Sequence, residues 1–300
     1  MNHLKTTAVA LILFLLGCLL AWALENPVAT DSTVTSPANR IICLSPSIVE
    51  IVYGLNQGHR IVGVSDYCVH PPDAKSKPLV GGYINPNFER ILALQPDLII
   101  FQGKHERIDA FCQRKNVAWL QLKMDNFETT FRAIESIGEK LGCIEQAVGL
   151  RVKIELECEQ VRKAVSGRER PRVFLSLFRS RGSFVTLTTV GPKTFLHELL
   201  DIAGGENIFS DVKQLYPEIS KEALLKREPQ IIIEIQPVAQ MAPEGDSPLA
   251  ADWLQLAGMP AVKDQRIYSV PGEDVLFQGP RMGQTSLQMA RLIFPEAFDE

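Results

Sequence analysis

The stretch FERILALQPDLII (residues 88–100) is repeated without a gap by KEALLKREPQIII (residues 221–233). The second residue of each copy is a glutamate, Glu89 or Glu222, and the two copies are offset by 133 residues (222 − 89). Each copy reads as a short helix, a proline that ends it, and an apolar run typical of a buried strand. A supersecondary unit that occurs twice predicts two lobes of similar α/β structure.

The rest of the chain extends this pattern, because short apolar runs alternate with helical stretches from residue 40 onward. Several of these runs are apolar at every position, as strands of a parallel sheet buried on both faces should be. The fold class predicted is therefore α/β, with two Rossmann-like lobes. The predicted strands are 40–45, 61–64, 97–101, 117–122, 172–178, 184–188, 230–235 and 266–270.

Between the fourth and fifth predicted strands, residues 144–166 contain no proline and a single glycine, Gly149. Apolar residues recur among many charges, which predicts one helix of roughly 35 Å at 1.5 Å per residue. Such a helix is long enough to join two lobes. The predicted organisation is an N-terminal lobe at 40–142, a linking helix at 143–167 and a C-terminal lobe at 168–300.

The N-terminus predicts export. Lys5 precedes an uncharged apolar run, and Ala21-Trp22-Ala23 offers the small residues that a signal peptidase reads. This pattern predicts a signal peptide at 1–23 and a mature chain from Leu24, with a disordered leader at 24–39 that is rich in Pro, Ser and Thr. Two alternatives stay open, a lipoprotein signal ending at Cys18 and an uncleaved membrane anchor. All three place the folded chain outside the cytoplasm.

Composition excludes several function classes. A net charge of −4 and a pI near 5.8 give no basic surface for nucleic acid, so no nucleic-acid partner is expected. The chain has no Cys-x-x-Cys pair and no Cys/His cluster, so neither a structural zinc site nor a resident cofactor is expected. An odd number of cysteines follows Cys18, so at least one is predicted to be unpaired: Cys43, Cys68, Cys112, Cys143 and Cys158.

Signatures of catalysis are also missing, since no G-x-S-x-G turn or G-x-G-x-x-G loop follows a strand. The Ser45-Pro46-Ser47 turn is better explained as a helix start, with Ser45 or Ser47 as the N-cap and Glu50 as its capping-box partner. No enzymatic activity is therefore expected. An exported α/β enzyme and a ligand-free scaffold or adhesion protein stay as alternatives.

Several short motifs, in this order and spacing, resemble one family. They are RIICLSPSIVE (40–50), IVGVS (61–65), GGY (81–83), NFERI (87–91), QPDLI (95–99), AGGEN (203–207), YPEIS (216–220) and GPR (279–281). The chain resembles the periplasmic binding proteins for vitamin B12 and ferric siderophores. That resemblance implies a ligand cleft between two lobes joined by one helix. It also implies a monomeric solute-binding component that delivers its cargo to the membrane subunits of an ABC importer.

The same resemblance implies the site residues. Aromatic rings suit the flat face of a corrin or a chelate, and an arginine suits amide oxygens or carboxylates. A corrinoid is favoured over a siderophore or haem-type iron chelate, because the Tyr-Cys pair at 67–68 and the Gly-Gly-Tyr turn at 81–83 look closer to that branch. The metal would come with the cargo. The candidate ligand-binding residues are Tyr67, Tyr83, Phe178, Tyr216 and Arg281.

The repeated glutamates, Glu89 and Glu222, have two explanations. Acidic residues in the first turn of a helix complement its dipole, which requires no partner. The family resemblance implies instead that each contacts an arginine on one of the two membrane subunits. Equivalent placement on both lobes favours docking, because a two-fold importer needs one contact per lobe.

Overall fold

A computed structural model of the protein describes residues 37–177, 179, 182–236 and 248–298. The N-terminal lobe is a four-stranded parallel sheet in the order β2-β1-β3-β4. Its strands are β1 (Ile41–Cys43), β2 (Ile61–Val64), β3 (Leu98–Gln102) and β4 (Ala118–Leu122). Its helices are α1 (Pro46–Gly54), α2 (Phe88–Ala93), α3 (Glu106–Lys115) and α4 (Phe127–Leu141).

A single helix, α5 (Ile144–Val165), then runs for 22 residues to the second lobe. It packs against α4 on one side and against the last long helix, Met282–Ile293, on the other. The side chains that make these contacts lie on one buried face, which includes Leu150, Ile154 and Val161. The predicted architecture of two α/β lobes joined by one long helix is confirmed.

The C-terminal lobe has a mixed sheet. Four strands pair in parallel, and two others, β6 and β8, extend one side of the sheet through antiparallel pairs. The strands are β5 (Arg172–Leu177), β6 (Leu187–Thr189), β7 (Glu206–Asn207), β8 (Glu218–Ile219), β9 (Ile231–Gln236) and β10 (Ile267–Pro271). The helices are α6 (Phe195–Ile202), α7 (Lys221–Lys226), α8 (Pro248–Trp253), α9 (Pro260–Lys263), α10 (Gly272–Val275) and α11 (Met282–Ile293).

The sequence repeat is also a structural repeat. The N-cap side chains of α2 and α7, Asn87 and Ser220, each accept a hydrogen bond from the backbone three residues on. After each helix one residue takes the left-handed conformation before the proline, Gln95 with φ 46° and Glu228 with φ 42°. Strands β3 and β9 follow at equivalent positions. The two copies therefore present their helices to solvent in the same way.

The packed chain begins earlier than the sequence predicts. The leader was expected to run to residue 39, yet Ala38 is buried and its N–H donates to the carbonyl of Lys140. Because the last residues of the predicted leader rest on the end of α4, they belong to the N-terminal lobe. Residues 1–36, with the predicted signal peptide and Cys18, lie outside the described residues.

Two further sequence expectations, those on the cysteines and on the start of α1, can be checked. Cys43, Cys68, Cys112, Cys143 and Cys158 are all free and buried, and burial is the main cause that raises the pKa of each thiol. Within the described residues no helix is long and apolar enough to cross a membrane. Helix α1 begins at Pro46 as predicted, but Ser45 makes no side-chain capping bond and Glu50 pairs elsewhere. The predicted capping box is therefore wrong.

Candidate functional site

The carboxyl ends of the parallel strands of the N-terminal lobe form one edge, where open α/β sheets usually bind ligands. Tyr67 lies on this edge, three residues after β2, and 73% of it is exposed. The neighbouring Ser65 and Cys68 are buried and hydrogen-bonded to each other at 3.3 Å. A rigid turn therefore holds Tyr67 outward, where its ring has no packing role inside the lobe and is free to meet a flat ligand.

Tyr83 lies at the same edge but is more firmly held. Its hydroxyl donates to the carbonyl of Gln102 at the end of β3, at 2.5 Å, and its ring packs edge-to-face against His105, with 5.0 Å between centroids. Burial, followed by the Asp109 carboxylate, raises the pKa of the Tyr83 phenol, so the hydroxyl remains a donor. Gly81 makes this turn possible, because its φ is 89° and a Cβ there would lie 2.8 Å from the carbonyl oxygen of Asn85.

Tyr216 comes from the C-terminal lobe. It sits in a turn fixed by hydrogen bonds from Thr189 N–H to Pro217 O and from Gly191 N–H to Leu215 O, and about half of it is exposed. Partial burial and then the carboxylate of Asp125 raise the pKa of its phenol. Asp125 follows β4 in the other lobe, so the Tyr216 ring lies close to the N-terminal lobe as well.

Arg281 lies where the lobes meet. Its guanidinium donates from Nε and Nη2 to the two carboxylate oxygens of Glu50 on α1, both at 2.8 Å, and from Nη2 to the carbonyl of Glu273. Glu50 is only 6% exposed and raises the pKa of Arg281. Ser47 adds a weaker hydrogen bond to Gln278 at 3.4 Å. We call Glu50 and Arg281 the interlobe clasp. Contact between Arg281 and a ligand stays a prediction.

Phe178, the remaining ligand-binding candidate, lies outside the described residues. The next residue in the sequence, Arg179, belongs to a buried polar cluster that the sequence did not predict. Arg179 is fully buried, with its guanidinium 3.0 Å from a Glu234 oxygen and 2.9 Å from Asp252. The indole N–H of Trp253 donates to the same glutamate at 2.8 Å, so Trp253 anchors its helix. The cluster makes the carboxyl ends of β5 and β9 rigid.

The two glutamates of the repeat occupy equivalent positions. Glu89 is the second residue of α2 and Glu222 is the second residue of α7, and both side chains are exposed. A backbone N–H and then the Ser220 hydroxyl lower the pKa of Glu222, so its carboxylate remains charged into mildly acidic solution. Across the described residues, His, Cys, Asp and Glu side chains form no group of three or more that could hold a metal ion.

Comparison with known proteins identifies the family. Residues 41–273 match the profile of the periplasmic binding protein family. The chain belongs to this family. This match confirms the resemblance seen in the sequence. Membership of this family implies that the protein functions outside the cytoplasm.

Individual relatives agree with this assignment. A protein of Bacillus subtilis (strain 168) described as the uncharacterized ABC transporter substrate-binding lipoprotein YvrC is 28% identical over 278 residues, covering 90% of this chain and 84% of that protein. The vitamin B12-binding protein of Yersinia pestis (strain Pestoides F) is 32% identical over 213 residues, covering 67% and 72%. A crystal structure from Staphylococcus epidermidis ATCC 12228, described as a possible iron-binding (periplasmic solute-binding) protein, superposes with a TM-score of 0.73 at 27% identity, covering 86% of this chain and all of that one.

Proposed function

We propose that the protein is the solute-binding component of an ABC importer, and that it captures a corrinoid between its lobes and delivers it to the membrane subunits. The observation that carries this proposal is the pair of exposed rings on the two lobes, Tyr67 at the sheet edge of one and Tyr216 in a turn of the other. Tyrosine rings have an apolar face and a polar hydroxyl, and these two lie on loops next to strand ends, where α/β lobes usually bind ligands. The Bacillus relative, named as an ABC transporter substrate-binding protein, supports the transport role.

The corrinoid assignment draws support from the Yersinia relative, whose name states that it binds vitamin B12. Corrin and tyrosine surfaces are both flat and largely apolar, so stacking buries area without demanding charge on the protein. The second candidate cargo is a ferric chelate of the siderophore or haem type. The name of the Staphylococcus structure favours it, and the same tyrosines would serve it.

A binding protein of this kind performs no chemistry on its cargo. In keeping with that role, we assign a structural function to the buried ion pairs, those of the Arg179 cluster and of the interlobe clasp. For export we propose cleavage before Leu24. The lipoprotein named among the relatives supports the alternative, lipidation at Cys18.

Calorimetric titration of the purified protein tests the cargo. We expect saturable one-to-one binding of cyanocobalamin with a Kd of roughly 1 μM or tighter, equivalent to about −8 kcal/mol. Ferric siderophores and haemin, titrated in parallel, should bind at least about tenfold more weakly. If the iron chelates bind and cyanocobalamin does not, the cargo is a ferric chelate and not a corrinoid. If no compound gives a binding signal, the proposed function is wrong.

Replacing Tyr67 by alanine tests the site itself. Because the ring is exposed and makes no packing contact that the fold needs, stability should stay within about 0.5 kcal/mol of the parent. Loss of stacking and buried area should weaken cargo binding by about 1–3 kcal/mol, or about five- to 150-fold. Tyr67→Phe is the matched control, since it keeps the ring and should bind almost normally. If Tyr67→Ala binds as tightly as the parent, the ligand lies elsewhere.

A further inference from the structure

A groove of about 450 Å³ lies at the carboxyl ends of β3 and β4, with α4 as one wall. We call it the β3–β4 groove. It is lined by Gly103 and Lys104 after β3, by Lys123 and Asp125 after β4, and by Arg132 on α4. Its volume falls in the range of small-molecule sites, about 300–1,000 Å³, and strand ends are where α/β lobes usually bind ligands. None of the described ligand-binding candidates lines it.

The β3–β4 groove adjoins the tyrosines of both lobes. On one side, a Cβ at Gly103 would lie 3.4 Å from the Tyr83 hydroxyl, and this hydroxyl is 3.5 Å from the carbonyl oxygen of Lys104. On the other side, the carboxylate of Asp125 is close enough to Tyr216 to raise the pKa of its phenol. A flat ligand held against these rings can therefore extend a substituent into the groove.

The groove is positively charged, although the whole chain has a net charge of −4. Its described lining contains three cations, Lys104, Lys123 and Arg132, and one carboxylate, Asp125. Two of the cations are paired, because Lys123 lies 3.3 Å from Asp125 and Arg132 lies 2.8 Å from Glu128. Lys104 is exposed and forms no ion pair with any residue that the structure describes. Its charge is therefore available to an anionic group of a ligand.

A complete corrinoid carries one such group. The substituents of its ring are neutral amides, except for a phosphodiester that joins the ring to the nucleotide base and stays ionised in neutral solution. Arg281, the cation that the family resemblance assigns to the ligand, already donates to Glu50 and to the carbonyl of Glu273. Lys104 has no such commitment, and an ammonium meets a phosphate oxygen without the fixed fork geometry of a guanidinium.

We propose that the β3–β4 groove receives the phosphodiester of a corrinoid cargo, with Lys104 as the cation that binds it. This inference rests on the proposed function and deepens it. The tyrosines contact the ring, which every corrinoid has, whereas Lys104 contacts a group that only complete corrinoids have. The protein should therefore distinguish a complete corrinoid from one that lacks the nucleotide, and this distinction should depend on the charge of Lys104.

Calorimetric titration with cyanocobalamin and with dicyanocobinamide, which keeps the corrin ring but lacks the phosphodiester and nucleotide, tests the groove. Lys104→Ala should weaken cyanocobalamin binding at least about fivefold and leave dicyanocobinamide binding within about twofold. Tyr83 should stay in place, since it contacts the backbone carbonyl of Lys104 and not the side chain. Lys115→Ala is the matched control, because it removes an exposed lysine before β4, at the opposite edge of the same sheet. It should bind both compounds as the parent does.

Each other outcome overturns the assignment in a different way. If the parent binds both corrinoids and Lys104→Ala weakens both equally or neither, the groove does not hold the phosphodiester, while the corrinoid cargo stands. If Lys104→Ala weakens haemin or a ferric siderophore but not cyanocobalamin, the groove binds an anionic group of a chelate instead. If the parent binds neither corrinoid, the proposed cargo itself is wrong. Added salt provides a second readout, since it should weaken cyanocobalamin binding more in the parent than in Lys104→Ala.

Discussion

Uptake of cargo is expected to fall to background when Glu89 and Glu222 are both changed to lysine, while cargo binding and folding stay intact. Both carboxylates are exposed at the second position of a short helix, so the loss of a favourable dipole interaction costs only about 0.3–1 kcal/mol each. Facing an arginine of the importer, a lysine would instead cost about 2–5 kcal/mol per lobe. That is at least about 30-fold for each contact.

The orientation of the two glutamates supports this docking role. Arg40 donates to the carbonyls of Leu94 and Gln95 at the end of α2, and Arg172 donates to the equivalent carbonyl, Arg227, at the end of α7. The C-terminal end of each helix is therefore hydrogen-bonded to the residue at the start of the first strand of its own lobe. Compensation of a helix dipole does not require the two helices to be held in equivalent positions on the two lobes, whereas docking to a two-fold partner does.

The measurement is uptake by the reconstituted importer at saturating cargo, with calorimetry on the same variants. A matched control, Glu139→Lys with Glu169→Lys, reverses one exposed glutamate in each lobe away from the repeat and should transport normally. Single reversals should each retain partial uptake, because one lobe still docks. Normal uptake by the Glu89→Lys, Glu222→Lys variant would refute the docking role without affecting the cargo assignment.

The sequence predicted the fold because its strongest signals are local. The gapless repeat from 88 to 100 and from 221 to 233 specifies a helix, a break and a strand, and each of these depends on neighbouring residues alone. The left-handed residues Gln95 and Glu228 follow from the same cause, since the chain must turn before the proline. Arg40, which precedes β1, and Arg172, the first residue of β5, are separated by nearly the same offset as the repeat and could have been found by extending it.

The candidate site was harder to predict, because its contacts join distant parts of the chain. Tyr67 follows a strand end and Tyr83 follows two glycines, so their placement at a sheet edge is a local consequence. Glu50 and Arg281 are separated by 231 residues, and nothing in either neighbourhood announces the other. The Ser47-Ile48-Val49-Glu50 pattern has the spacing of a capping box at the level of sequence, but the helix starts at Pro46 with Ser45 as its N-cap. Only the packing of the two lobes shows that Glu50 belongs to a different interaction.

Replacing Arg281 by alanine is expected to destabilise the protein by about 2–4 kcal/mol. The change leaves Glu50, which is 6% exposed, as a charge without its cation inside the interface. Breaking a fully buried pair in this way costs about 3–5 kcal/mol, and partial exposure of the arginine lowers that figure. Denaturant unfolding measures the effect. Arg162→Ala removes one side of an exposed pair with Glu159 and should change stability by less than about 0.5 kcal/mol.

The double variant Glu50→Gln, Arg281→Gln separates the lost pair from the charge left behind. Two neutral amides can hydrogen-bond across the same gap, so much of the stability should return. If the double variant is no more stable than Arg281→Ala, shape and not charge holds this interface. Gly54→Ala tests whether close packing holds this interface, because the added Cβ would lie 2.9 Å from a ring carbon of Pro280.

A second tie between the lobes decides how the clasp variant should unfold. Phe195 N–H donates to the Asp125 carbonyl at 2.8 Å, Phe127 N–H donates to Glu198 at 2.6 Å, and the two phenylalanine rings stack with 5.7 Å between centroids. Because these contacts and α5 survive in Arg281→Ala, its lobes should still unfold in one transition with an unchanged m-value. Two separate transitions would show that only the clasp makes the lobes unfold together. The free energy lost in Arg281→Ala would then be the energy of coupling between the lobes.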